Sequence, residues 1–114
     1  MMRVRITEEN NLVTLFVAFN KTGKRRPVLI LEKNGSFLSF FRLSTKYDNK
    51  SDEIKSVYYP LIDWKQSGLS KQSYIDVGTV LNVNISNSRL KKIGSLSDRD
   101  VAGINHLMEK LHHQ

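Results

Sequence analysis

The stretch that decides the fold of this 114-residue chain is PVLILEKNGSFLSFFRL, at positions 27–43. Aliphatic and β-branched residues follow Pro27, and proline is tolerated at the first residue of a strand. Asn34-Gly35 is the strongest short hairpin signal, because both central residues of the tightest hairpin turns need a positive φ. The stretch therefore predicts two antiparallel strands, over 28–33 and 36–43.

Further strand signals lie on both sides of this hairpin. Residues 12–19, LVTLFVAF, predict a buried strand. The following NKTGKRR, at 20–26, carries turn-forming residues and predicts a loop. Alternating apolar residues over 75–85 predict one long half-buried strand with a possible bend at Gly78, and Val57-Tyr58-Tyr59 predicts a short one.

The last segment predicts a helix. Ser97 is suited to cap its first turn, where the negative charges of Asp98 and Asp100 are favourable. Leu96 and Val101 fit a hydrophobic staple across this cap. Apolar residues then fall on one helical stripe, which needs a sheet to cover it. We therefore predict a single α+β domain over 1–114, mainly β, with about five strands or a small partly open barrel and a C-terminal helix packed on it.

Charge is the most informative bulk property. Eighteen Lys and Arg against eleven Asp and Glu give a net charge of +7 and a pI near 9.8. Such a balance is typical of polyanion binders, although a basic surface that serves solubility would give the same net charge and pI. The segments 20–26 and 86–97 carry seven of the cations and no acid, which favours a binding face.

The sequence disfavours several classes of function. Cysteine is absent, so disulfides and thiolate chemistry are excluded, and no apolar run is long enough for a membrane span. No zinc-ligand spacing, Gly-rich phosphate loop or G-x-S-x-G elbow occurs. We therefore expect no metal, no cofactor and a cytoplasmic protein. Phosphodiester chemistry carried by arginine and hydroxyl groups remains, as does binding without catalysis.

Four blocks of sequence resemble one family. KRRPVLIL at 24–31 resembles the R-P-V strand opening of MazF/PemK-type toxins of type II toxin–antitoxin systems. LSTK at 43–46 is similar to the I-T-[ST]-[KA] strand end of these toxins. The D-W … G-L-x-K-x-S pattern at 63–73 and the R-L … I-G-x-L-S pattern at 89–97 agree in order and spacing. Asn10-Asn11 stands where the family often has Gly-Asp, and Ser44 stands where it usually has threonine.

The resemblance implies a fold, an activity and partners. The fold is an SH3-like, CcdB/MazF-type antiparallel barrel, present as a homodimer. The activity is that of a growth-inhibiting endoribonuclease, which cleaves single-stranded RNA at short motifs without a metal ion. A cognate antitoxin, acidic and partly disordered, is expected to cover the same basic groove. The alternative is a non-catalytic module on the same fold, which binds a protein target, as gyrase poisons do, or nucleic acid.

The candidate site residues follow from this chemistry. RNA supplies its own nucleophile in the 2′-hydroxyl, so the enzyme needs a cation where charge accumulates on phosphorus. We expect Arg26 to be that cation, since guanidinium contacts phosphate through two parallel hydrogen bonds, although it could also be an ordinary surface arginine. Ser44 or Thr45 is expected to donate a hydrogen bond to the same phosphate. The predicted RNA-binding residues are Lys21, Lys24, Arg25, Lys46, Tyr47 and Arg89.

Overall fold

The protein is described by a computed structural model over residues 11–19, 22–84 and 90–112. This part of the chain forms seven strands and two helices. In chain order they are β1 (Asn11–Phe19), β2 (Thr22–Asn34), β3 (Phe37–Ser44), α1 (Asp52–Lys55), β4 (Tyr58–Pro60), β5 (Tyr74–Asp76), β6 (Leu81–Asn84), β7 (Leu90–Ser95) and α2 (Asp98–His112).

The strands form one antiparallel sheet in the order β4-β5-β3-β2-β1-β7, and β6 pairs with the first half of β3. The predicted hairpin is present between β2 and β3, where Gly35 has a φ of 62°. Glycine adopts this left-handed conformation at no steric cost, as the tight turn requires. The prediction of a mainly antiparallel β fold with a C-terminal helix is confirmed.

Three features of the strands differ from the sequence-based predictions. β2 begins at Thr22, so residues 22–26 lie in a strand rather than a loop, because β1 pairs with them along their whole length. The predicted strand over 75–85 is divided into β5 and β6 by a turn at Gly78, whose N–H donates to Asp76 Oδ1 at 3.0 Å. β7 was not predicted, and it forms the edge of the sheet beside β1.

The main core lies between one face of the sheet and α2. Alternate residues of the central strands point to this face, as the two-residue period of a strand requires. The apolar stripe of α2 packs against them, as predicted. The fully buried side chains of this core are Leu12, Leu29, Phe41, Leu61, Ile75 and Ile104.

A buried carboxylate fixes α2 to the sheet. Asp100 is fully buried and accepts hydrogen bonds from the Tyr59 hydroxyl and from the N–H groups of Ile62 and Asp63, all at 2.9 Å. Burial, followed by the hydrogen bond to Asp100, raises the pKa of Tyr59, so the phenol stays neutral. The three donors compensate the cost of burying the Asp100 charge.

The predicted cap of α2 is also present. The Asp100 N–H donates to Ser97 Oγ at 3.1 Å, and that hydroxyl donates to Asp63 Oδ2 at 2.6 Å. The Arg99 guanidinium donates to the same carboxylate, at 2.7 Å and 3.2 Å, and lowers the pKa of Asp63. The start of α2 is thereby fixed to the loop after β4.

The opposite face of the sheet carries a second, smaller apolar cluster of Val13, Val28, Leu38 and Phe40. Tyr58 and Tyr59 point to opposite faces, and both are buried. Within the described residues no helix is long and apolar enough to cross a membrane.

Candidate active site

A concavity opens on the second face of the sheet where β2 and β3 separate. The two strands pair as far as Val28 and Arg42. Beyond this point β2 continues beside β1 alone, and the end of β3 pairs with β5 through Leu43 and Ser44. The resulting concavity has a volume of about 570 Å³, and its lining includes Val28, Phe40 and Leu81 from the second apolar cluster.

The concavity brings the predicted catalytic residues together. Arg26 lies two residues before Val28 on β2, and Ser44 lies two residues after Arg42 on β3. Both then lie on the face of Val28 and Arg42, because residues two apart in a strand share a face. Arg26, Ser44 and Thr45 all line the concavity, and Arg26 is exposed to solvent within it.

The Ser44 hydroxyl is held by a local turn. It accepts a hydrogen bond from the Lys46 N–H at 3.1 Å and donates to the Lys46 carbonyl oxygen at 3.2 Å. This turn brings Lys46 to the rim of the concavity, as the prediction that it contacts RNA requires. A phosphate oxygen could accept the Ser44 proton in place of the Lys46 carbonyl, because a hydroxyl rotates and keeps its accepted bond.

Sequence reasoning missed three charged residues of the site, Arg42, Lys50 and Asp76. Arg42 Nη2 donates to Asp76 Oδ2 at 3.1 Å across β3 and β5. The Asp76 side chain is 11% exposed and that of Arg42 is 59% exposed. Arg42 lies two residues before Ser44, hence on its face, and this spacing was the signal that could have found it.

The charge of the concavity is positive. Its lining includes four cationic side chains, Arg26, Arg42, Lys46 and Lys50, and the carboxylate of Asp76. Cations around an apolar floor suit a ligand with anionic groups and flat apolar parts.

Tyr47 lies beside the site rather than in its lining. Its ring stacks on Tyr74 at 4.3 Å between centroids, with 6° between the planes. The Lys55 ammonium lies 5.0 Å from the Tyr47 centroid. Tyr74 therefore covers one face of the Tyr47 ring, which leaves at most the other face for a base. That Tyr47 contacts RNA stays a prediction.

Of the remaining predicted RNA-binding residues, the structure describes the side chain of Arg25 alone. Arg25 is exposed, but it alternates with Arg26 along β2 and does not line the concavity. Lys24 lies in β2 across from Val17 of β1. Lys21 and Arg89 lie outside the described residues. Among the described residues, no three His, Asp or Glu side chains are placed to hold a metal ion.

The antiparallel sheet and the C-terminal helix form a MazF-type toxin fold, as the likeness to solved structures shows. A MazE–MazF complex from Deinococcus radiodurans is similar at a TM-score of 0.66 and 14% identity, over 95% of this chain and 97% of that one. MazF alone from the same organism is similar at a TM-score of 0.62 and 14% identity, over 96% of this chain and 98% of that one. An Mtb toxin is similar at a TM-score of 0.57 and 16% identity, over 75% of this chain and 90% of that one.

These likenesses confirm the fold that the sequence motifs implied. No protein-family model matches the sequence, and no curated protein matches it.

Proposed function

We propose that this chain is an endoribonuclease toxin that cleaves single-stranded RNA without a metal ion. The observation that carries the proposal is that Arg26, Ser44 and Thr45 line one concavity together with further cations and apolar side chains. The MazF-type fold supports the same function.

The proposed reaction uses the 2′-hydroxyl of RNA as the nucleophile. It attacks the adjacent phosphorus, and the bond to the 5′ oxygen breaks; the 2′-hydroxyl loses its proton and the leaving 5′ oxygen gains one, which leaves a 2′,3′-cyclic phosphate and a 5′-hydroxyl. Negative charge grows on the non-bridging oxygens in the transition state, where Arg26 donates two parallel hydrogen bonds. Ser44 turns its proton from the Lys46 carbonyl to the same phosphate, and thus adds a donor.

The concavity favours a single strand over a duplex. Its floor includes Val28, Phe40 and Leu81, and only an unpaired base can leave its stack to reach them. Lys46 and Lys50 at the rim attract the sugar–phosphate backbone, and this attraction weakens with added salt.

The proposal includes two protein partners. The Deinococcus radiodurans structures include MazF in a complex with MazE. By analogy, an acidic and partly disordered antitoxin binds over the concavity of this chain and competes with RNA. The negative charges of the antitoxin and of RNA are both complementary to the cations of the concavity. A homodimer is proposed on the same grounds.

A cleavage assay with a long RNA of defined sequence tests the activity. The purified protein is incubated with this RNA in EDTA, and the new ends are mapped. We expect cyclic phosphate or 3′-phosphate ends at a short recurring motif. A 2′-deoxy nucleotide at the mapped position should abolish cleavage there, because it removes the nucleophile.

The outcomes separate the two classes of function. Intact RNA under all conditions, or equal cleavage at the 2′-deoxy position, would refute the proposed mechanism. Binding of RNA without cleavage would support the non-catalytic alternative instead.

A further inference from the structure

The ion pair between Arg42 and Asp76 is built into the floor of the concavity. Asp76 is a nearly buried carboxylate, and both of its oxygens accept hydrogen bonds. Oδ1 accepts from the Gly78 N–H at 3.0 Å, and Oδ2 accepts from Arg42 Nη2 at 3.1 Å. The Arg42 side chain remains 59% exposed and lines the concavity.

Arg42 lies on the same face of the sheet as the proposed catalytic residues. Arg42 pairs with Val28, and Arg26 lies two residues before Val28 on β2. The two arginines thus share one face of the sheet, and both line the concavity. Two guanidinium groups in one concavity suit two phosphates of a single bound strand.

We propose that Arg42 binds the RNA phosphate next to the one that is cleaved, and that Asp76 is the positioning residue that holds Arg42 for this contact. The inference rests on the proposed function and adds to it a second phosphate subsite. Arg26 acts on the scissile phosphate, and Arg42 fixes the register of the strand relative to Arg26.

The chemistry of the pair explains this division. An arginine has five N–H donors, and Asp76 uses one of them, so a phosphate can still bind the others. A free arginine loses side-chain entropy when it binds, whereas one already held by a carboxylate loses less. A carboxylate in a phosphate-binding concavity would otherwise only repel the substrate.

The test for Arg42 is RNA affinity as a function of salt. A labelled single-stranded RNA with a 2′-deoxy nucleotide at the mapped site is titrated with wild type and Arg42→Ala. We expect Arg42→Ala to weaken binding about tenfold or more and to reduce the slope of log affinity against log salt by about 0.7. The kcat of the variant on cleavable RNA should fall much less than its affinity.

Asp76→Asn gives the sharper test, because two explanations predict opposite changes in RNA affinity. The substitution makes the concavity more positive, so simple charge attraction predicts tighter RNA binding. An asparagine has one acceptor oxygen, and it cannot serve both Gly78 and Arg42 as the two carboxylate oxygens do. We therefore expect weaker binding, and no weakening when Asp76→Asn is added to Arg42→Ala.

Matched controls are Lys33→Ala and Glu32→Gln, two exposed residues at the far end of β2. Thermal unfolding shows that each variant is folded before its affinity is read. Unchanged affinity and salt slope in Arg42→Ala, or tighter binding by Asp76→Asn, overturns the inference. If wild type still cleaves RNA and Arg26→Ala does not, the proposed function survives that result.

Discussion

The replacement of Asp100 by asparagine tests how α2 is held on the sheet. Asp100 receives three hydrogen bonds, two on Oδ1 from Tyr59 and Ile62 and one on Oδ2 from Asp63. Asparagine keeps the shape of the side chain, but it replaces one acceptor oxygen by an NH₂ donor. At least one buried N–H or O–H then faces another donor.

The expected cost follows from the number of groups left without a partner. A buried polar group without a partner costs roughly 1–3 kcal/mol, and bonds to a charged acceptor are stronger than neutral ones. One lost hydrogen bond leaves two donors without an acceptor, namely the protein group that was bound and the new NH₂ group of asparagine. The remaining hydrogen bonds are made to a neutral acceptor instead of a charged one. We expect a loss of about 3 kcal/mol in the free energy of unfolding, or a fall of about 10 °C in Tm for a chain of this size.

The assay is urea and thermal unfolding of wild type and Asp100→Asn at one protein concentration, since any dimerisation would add to the apparent stability. The control is Asp98→Asn, which removes an exposed charge from the same turn and should cost less than about 1 kcal/mol. If Asp100→Asn changes stability no more than the control, the buried carboxylate does not anchor α2 and our reasoning is refuted.

Three further predictions concern packing, pH and the site. Gly103→Ala should lower the free energy of unfolding by about 1–3 kcal/mol in urea titrations, because the new methyl group would overlap the Tyr59 ring; an unchanged midpoint would contradict this. Arg99 lowers the pKa of Asp63 in the fold, so Asp63→Asn should reduce Tm at neutral pH, and this difference should vanish as the pH falls through the lowered pKa of Asp63 and the carboxylate is protonated; a constant difference in Tm scans across pH would argue against the ion pair. Ser44→Ala should lower kcat for RNA about 10- to 100-fold, and Ser44→Thr should restore most of it; equal rates for all three proteins would assign the hydroxyl role elsewhere.

Much of the fold could be predicted because local signals and tertiary packing agree. Asn34-Gly35 fixes the β2–β3 hairpin through its turn geometry, and Ser97 caps α2 through a bond that one residue can supply. The start of β2 could not be predicted, because Thr22–Arg26 carry loop-forming residues and become a strand only by pairing with β1. β7 was missed for a related reason, since its pairing partner lies far away in the sequence.

The site was predicted in part for the same reason. Arg26 and Ser44 were predicted from motifs, and both side chains line the concavity. Asp76 and Arg42 were missed because they are 34 positions apart, and neither gives a local signal of pairing. Arg25 was grouped with Arg26 by charge, whereas the alternation of a strand separates them.

The most direct test of the central claim is the rate of RNA cleavage by Arg26→Ala. Lys33→Ala serves as its control, because it removes the same charge from β2 roughly 23 Å along the strand. Both variants are compared with wild type in single-turnover cleavage of the mapped RNA in EDTA, after thermal unfolding shows that they are folded. We expect the single-turnover rate constant at saturating enzyme to fall at least about 100-fold in Arg26→Ala and to stay at the wild-type value in Lys33→Ala. Cleavage by Arg26→Ala at the wild-type rate would contradict the proposed active site.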